Sequence, residues 1–304
     1  MRNVCLAIGA RAAPAAFVLA LLAACSHSAG TTSSAPVHGP DLSPSPSVRF
    51  SVSGMAPQLS GTPTPTVTGA PTPTSTSTLR VHLGTVVLVP GYGGSTEGLS
   101  TIAAALRKVG RHVRVVALPA QASQLFEQQA RTLEAVVGTE EKAGRGPVDI
   151  VAHSNGGVLA RYWARHYNGA GRARVILTLG APQHGTTLAD LAFTAAPQLC
   201  TPACHEVRPS STFLKALNKQ PATAGIAWVS AYTDNDNVVT PATSAVLRGA
   251  INVRLQAVCA DAVVDHSGLL GDPLALGLVV DELQAPVPHP ERDGDCARLR
   301  ALGS

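Results

Sequence analysis

The chain has 304 residues, of which 45% are hydrophobic but only 4% aromatic, and its formal charge is +4. With so few aromatics the core must be built from Val, Leu, Ile and Ala, which suits a largely parallel sheet. Arg2 and Arg11 lie in a leader expected to be removed, and the remainder is then close to neutral. That balance excludes an electrostatic case for a nucleic-acid partner.

Arg2 and Arg11 flank the start, and Ala12 to Ala24 is apolar apart from Pro14. A basic region followed by a short apolar one reads as a targeting segment, too short to span a bilayer comfortably. It ends in Leu22-Ala23-Ala24-Cys25, which resembles the bacterial lipoprotein signal. The resemblance implies that residues 1–24 are a signal peptide and that Cys25 becomes the lipidated N-terminus. A lipid at Cys25 would anchor the protein to the outer face of the cell membrane. An ordinary cleaved signal with an incidental Cys would release it, so either route gives an extracytoplasmic protein. Residues 25–79 follow as a tether of Ser, Thr, Pro, Ala and Gly almost throughout, with Asp41 and Arg49 its only formal charges. Such a segment buries too little apolar surface to offset the entropy of ordering and is expected to be disordered. Fully extended as polyproline II, it would reach about 150 Å.

Residues 80–304 alternate strand and helix patterns and are long enough for one well-packed domain. Thr85–Val89 is a β-branched run stopped by Pro90-Gly91 and predicts a buried strand. Leu99 to Val109 predicts a helix, with Leu99, Ile102, Ala103, Leu106 and Val109 on one face. A strand is predicted over His112–Leu118, a helix over Leu125–Val137 and a third strand over Pro147–Ala152. The helix Gly156–Tyr167 and the strand Arg174–Leu179 come next. Gly225–Tyr232 and Asn252–Val258 read as further strands, and Leu274–Leu283 as a closing helix. The alternation predicts an α/β fold: a doubly wound, mostly parallel sheet with helices on both faces. Active sites in such sheets form at the carboxyl ends of the strands.

Ala152-His153-Ser154-Asn155-Gly156-Gly157 ends a strand and opens a helix. A Ser on that sharp turn is held at the top of the sheet with its hydroxyl exposed, so Ser154 is the candidate nucleophile. A Ser capping a helix after a strand is the plainer reading of the same residues. His153 reads as a structural neighbour on the turn. Pro90-Gly91-Tyr92-Gly93-Gly94 follows the first strand. Acyl transfer needs N–H donors aimed at the oxygen that becomes negative, and Tyr92 and Asn155 are the candidates. A phosphate loop is discounted because no Gly-Lys-Ser/Thr ending is present. A serine nucleophile needs a base, and an acid to orient that base, and two stretches after Ser154 offer them. The strand ending at Tyr232 runs into Thr233-Asp234-Asn235-Asp236-Asn237-Val238-Val239. Asp236 is preferred by its placement, with Asp234 as competitor; an Asx-rich surface turn is the plainer reading. Asp234 and Asp236 lack the further ligands of a calcium loop. His266, in Asp265-His266-Ser267-Gly268-Leu269-Leu270, is the candidate base. His289 lies in a Pro-rich tail and is a poorer one. His184, at a strand end in Gly180-Ala181-Pro182-Gln183-His184-Gly185-Thr186, reads as a pocket-lining residue.

Together these motifs resemble the secreted bacterial triacylglycerol lipases of the α/β-hydrolase superfamily, the class 2 group. The likeness runs in order over roughly residues 83–285. Ala152 departs from the usual first Gly of the turn, and Pro90 from the usual His before Gly. The resemblance implies Ser154, Asp236 and His266 as a triad, with Tyr92 and Asn155 as oxyanion donors. It further implies a carboxylic ester hydrolase acting on a lipid or other acyl ester, as lipase or esterase, through an acyl-enzyme. That chemistry requires no metal and no cofactor. An envelope acyltransferase would use the same residues, and a tethered, inactive binding protein is the non-enzymatic alternative. The chain is expected to act as a monomer. Outside the leader, Cys200, Cys204, Cys259 and Cys296 form an even set in an exported domain. Of three pairings, Cys200–Cys204 and Cys259–Cys296 are favoured; paired knuckles for zinc are missing. The stretch 188–213 could form a flap over the site.

Overall fold

The computed structural model describes residues 83–304; the leader, the lipidation position Cys25 and the tether lie outside the described residues. The strands are β1 (Val86–Val89), β2 (Val113–Val115), β3 (Val148–His153), β4 (Ala173–Leu179), β5 (Ala227–Tyr232) and β6 (Ile251–Arg254). The first helices are α1 (Gly98–Lys108), α2 (Phe126–Lys142), α3 (Asn155–His166), α4 (Thr187–Ala195) and α5 (Pro202–Glu206). They are followed by α6 (Thr212–Leu217), α7 (Leu255–Val258), α8 (Pro273–Gln284) and α9 (Cys296–Leu302). No helix of the described residues is long and apolar enough to cross a membrane.

The strands lie in the order β2-β1-β3-β4-β5-β6, and every pairing is parallel. Alternate residues of each strand enter opposite layers, which is why the strands are apolar on both faces. In β1, Val87 and Val89 pack with Phe126 and Leu133 of α2 and Trp163 of α3. Val86 and Leu88 pack on the other side with Leu99 and Ile102 of α1 and Leu278 of α8. The order reverses between β1 and β3: the chain leaves β1 toward β2 and returns on its other side. That switch opens a crevice at the carboxyl ends of β1 and β3, where the two glycine-rich motifs meet.

At the opposite end of the sheet, Asp149 is fully buried and held by two guanidinium groups. Arg111 donates to its Oδ2 at 2.6 Å, and Arg174 donates to Oδ1 at 2.9 Å and Oδ2 at 2.6 Å. Both arginines also donate to the carbonyl of Leu283, near the C-terminus of α8. The charges therefore tie α8 to the sheet.

Two strands are shorter than expected. The edge strand expected over 112–118 pairs only from Val113 to Val115, against Val86 to Leu88 of the four-residue β1. The strand expected over 252–258 stops at Arg254 and turns into α7. Leu255 and Val258 are both buried, and their three-residue spacing fits one helical turn rather than a strand. Residues 188–213, the stretch read as able to form a flap, comprise most of α4, a 3-10 turn, α5 and the start of α6.

Candidate active site

Ser154 links β3 to α3 with φ 55° and ψ −130°, a backbone region costly for any residue with a Cβ. Two hydrogen bonds hold it there: its N–H donates to Leu179 O at 2.9 Å, and its carbonyl accepts from Gly157 N at 2.9 Å. The glycines that follow are needed for space. A Cβ on Gly156 would lie 2.6 Å from Pro90 O and 2.7 Å from Val89 O. One on Gly157 would collide with the Ala181 side chain. Their absence lets α3 start directly against the ends of β1 and β4. Gly91 plays the same part in the loop after β1, since a Cβ there would lie 2.7 Å from Ser154 Cβ.

Ser154, Asn155 and Tyr92 all line one cleft. Asn155 opens α3, so its N–H is one of those that a helix leaves without an intrahelical acceptor. Neither it nor the Tyr92 N–H meets a backbone acceptor among the described turn and loop hydrogen bonds. The rest of the lining is mostly apolar: Leu188, Ala189 and Ala192 of α4, Leu199, and Val238 with Val239. Cys204 of α5 also lines it, and the Cys200–Cys204 disulfide joins α5 to the turn before it. The second disulfide is Cys259–Cys296.

The loop after β5 brings Asp236 to His266. Asp236 Oδ2 lies 2.8 Å from His266 Nδ1, and both side chains are buried. Asp236 Oδ1 accepts from the N–H groups of Val238 at 2.9 Å and Val239 at 2.7 Å, which fixes the carboxylate plane. Asp234 points elsewhere: it is half-exposed and pairs with Arg254 at 3.1 Å. Thr233 Oγ1 donates to Val264 O at 2.6 Å, stitching the acid loop to the histidine loop.

His153 reaches the same histidine from the serine side. Its ring lies 4.6 Å from the His266 ring, and its Nε2 lies 3.0 Å from the His266 carbonyl oxygen. Burial, and then the neighbouring His266 imidazole, push His153 down to about 3. A neutral ring facing a carbonyl must carry its proton on Nε2, so His153 donates to the His266 backbone. Ser154, His153, His266 and Asp236 are thus gathered at one end of the sheet.

His184 does not line the cleft. It is exposed, with Nε2 3.1 Å from Val246 O. His289 lies beside Asp281 and Glu291 rather than Ser154. Sequence reasoning passed over Thr186. Its hydroxyl donates to Val238 O at 2.7 Å and accepts from Leu188 N, so it caps α4 and fixes one wall of the cleft. The Gly185-Thr186 pair ahead of an apolar run was the available signal, as an N-cap.

Residues 126–261 match the family described as lipase (class 2). No curated protein sequence matches the chain. Among solved structures, lipase B of Aspergillus fumigatus is 21% identical with a TM-score of 0.61, over 72% of this chain and 56% of that one. Lipase BlEst2 of Bacillus licheniformis in its propeptide form is 18% identical with a TM-score of 0.59, over 69% of this chain and 52% of that one. Its mature form gives 18% and 0.56, over 66% and 92%. The chain therefore spans little more than half the length of the first two, and most of the mature form. The fold is that of the α/β-hydrolases, and residues 126–261 carry the sequence pattern of the class 2 lipases.

Proposed function

We propose that the chain is an extracytoplasmic serine ester hydrolase, a lipase or esterase that cleaves acyl esters through Ser154, His266 and Asp236. The observation that carries this reading is the strained serine at the β3–α3 turn, on an apolar cleft that it shares with Tyr92 and Asn155. The class 2 lipase pattern over 126–261 supports the same chemistry.

Ser154 Oγ attacks the ester carbonyl while His266 Nε2 takes its proton. Asp236 holds Nδ1–H and stabilises the imidazolium that forms. The N–H groups of Tyr92 and Asn155 receive the oxyanion, and the start of α3 adds its positive dipole end. The imidazolium returns the proton to the departing alcohol, leaving Ser154 acylated. Water activated by His266 then releases the acid and restores the serine. The apolar wall of Leu188, Ala192, Leu199 and Val239 suits an acyl chain rather than a polar acid part. Lipidation at Cys25 belongs to the same reading, and the mass of the mature N-terminus tests it.

The deciding experiment measures hydrolysis of nitrophenyl esters from acetyl to palmitoyl by the mature chain beside Ser154→Ala. Wild type should turn over esters, and the variant should lose several orders of magnitude in rate. Equal rates in both, or no turnover of any ester by wild type, would refute the reading. The chain-length optimum separates lipase from esterase.

A further inference from the structure

Away from the cleft, the last turn of α8 and the segment after it hold five carboxylates, of which Asp281, Glu282, Glu291 and Asp295 make hydrogen bonds or ion pairs there. Arg298 is the one guanidinium among their ion-pair partners in the described residues. It takes one oxygen from three of them: Asp281 Oδ1 at 2.6 Å, Glu291 Oε2 at 3.0 Å and Asp295 Oδ1 at 3.1 Å. The second oxygens of Asp281 and Glu291 turn inward to the His289 ring. Asp281 Oδ2 lies 3.4 Å from His289 Nε2, and Glu291 Oε1 lies 3.9 Å from His289 Nδ1. Both of these oxygens are buried, and neither has a hydrogen-bond partner among the described residues. The Glu291 side chain is 0% exposed. A buried carboxylate oxygen without a partner costs free energy that the fold would not carry without compensation.

We infer that Asp281, His289 and Glu291 form a site for a divalent cation of the zinc class. One ligand atom from each residue lies within 4.8 Å of the others. Tetrahedral zinc with bonds of about 2.0–2.2 Å needs donors roughly 3.3–3.6 Å apart, so the donors must draw in modestly. His289 and Glu291 sit on irregular chain between α8 and α9, which can follow. One imidazole nitrogen with two carboxylates selects zinc over calcium, which prefers six or more oxygens. Arg298 fixes the outer oxygens and so aims the inner ones, the service that second partners give metal ligands. The Glu282 carboxylate accepts from His289 N at 3.1 Å and holds the backbone of the loop in place. The ion would clamp residues 286–295 onto α8, next to the Cys259–Cys296 bridge. It is separate from ester hydrolysis.

The test uses the full chain without an affinity tag, stripped by chelator and titrated with zinc chloride by calorimetry, with thermal midpoints in parallel. One equivalent should bind and raise the midpoint. His289→Ala, at a half-exposed position, should fold normally but bind at least about tenfold more weakly, and Glu291→Gln should do likewise. Cobalt in place of zinc should give the visible bands of a four-coordinate site in wild type and not in His289→Ala. Failure of wild type to bind zinc would overturn the assignment, leaving a histidine that merely salt-bridges two acids. Binding that survives in both variants, or a site that takes calcium but not zinc, would overturn it equally. Ester hydrolysis by Ser154 is unaffected by any of these outcomes.

Discussion

Replacing Cys259 and Cys296 together by alanine opens a loop of 37 residues that carries His266, all of α8 and the acidic tail. In the chain-entropy relation, a loop of that length restricts the unfolded chain by about 4 kcal/mol at 25 °C. A domain of this size loses roughly 2–4 °C of midpoint per kcal/mol, so the melt should fall by roughly 8–16 °C. The folded state keeps its own anchors. His266 is held by Asp236 at 2.8 Å and by His153 at 3.0 Å, and its loop is held by Thr233 through Val264 O. Leu299 stays fully buried against α8. Because the bridge acts mainly on the unfolded chain, kcat/KM on nitrophenyl butyrate at 25 °C should stay within about twofold. Circular dichroism melts and initial rates on the two proteins decide the matter. A midpoint change below about 3 °C would refute the loop-entropy reasoning. A tenfold loss of rate in a protein that still folds would show that the bridge positions His266, and that the hydrogen bonds alone do not.

Asp236→Asn should lower kcat by about three to four orders of magnitude, since the amide cannot hold the imidazolium. Asp234→Asn, at a half-exposed ion pair, should change kcat little; comparable losses would move the acid to the other side of the turn. Asp149→Ala leaves the buried Arg111 without its charge partner and should cost about 3–5 kcal/mol in urea unfolding. A cost below about 1 kcal/mol would mean that the carbonyls of Leu283 and Gly84 satisfy that guanidinium alone. His153 is held at about 3 in the fold against an ordinary 6.5. The unfolded chain therefore binds a proton that the fold refuses between those values. Its contribution disfavours folding increasingly as pH drops below 6.5, by about 1.4 kcal/mol per unit, and levels off near pH 3. The stability of His153→Gln should fall less steeply over pH 6.5 to 4 than that of wild type. Parallel profiles would show that His153 titrates normally.

Much of this arrangement is legible in the sequence because single physical rules govern it. Val86 to Val89 are apolar on both faces, which only a strand between two layers tolerates, and Pro90 ends it. Ser154 was recognisable because Gly156 and Gly157 follow it, and the structure shows both pressed against neighbouring backbone or side chains. The short helices α4, α5 and α6 were less readable. The apolar residues of this stretch serve two masters: Ala189 and Ala192 of α4 are buried in the core, while Leu191 of α4 and Leu199 of the turn after it remain 46% and 40% exposed. Pro197 and Pro202 further break the run before a period can establish itself. The choice between Asp236 and Asp234 rests on a turn that presents alternate residues to opposite sides, and placement favoured one without excluding the other. Buried Glu140 gave no signal as a core residue, because its burial depends largely on partners distant in sequence, Arg145 excepted. For Glu140 these include Thr85, which donates to it at 2.8 Å.

The seat of Ser154 sets two kinds of inheritance against each other. At positions 156 and 157 the demands of fold and of the proposed chemistry coincide: any side chain larger than hydrogen would press α3 against its neighbours and disturb the serine turn together. At position 154 they diverge. The backbone there would sit at ease with glycine, yet glycine carries no hydroxyl. A lineage drifting under selection for durability alone would drain this position first, and one selected for turnover must keep the tension in every generation. The serine at φ 55° is therefore the position where the proposed chemistry and the ease of the backbone pull in opposite directions.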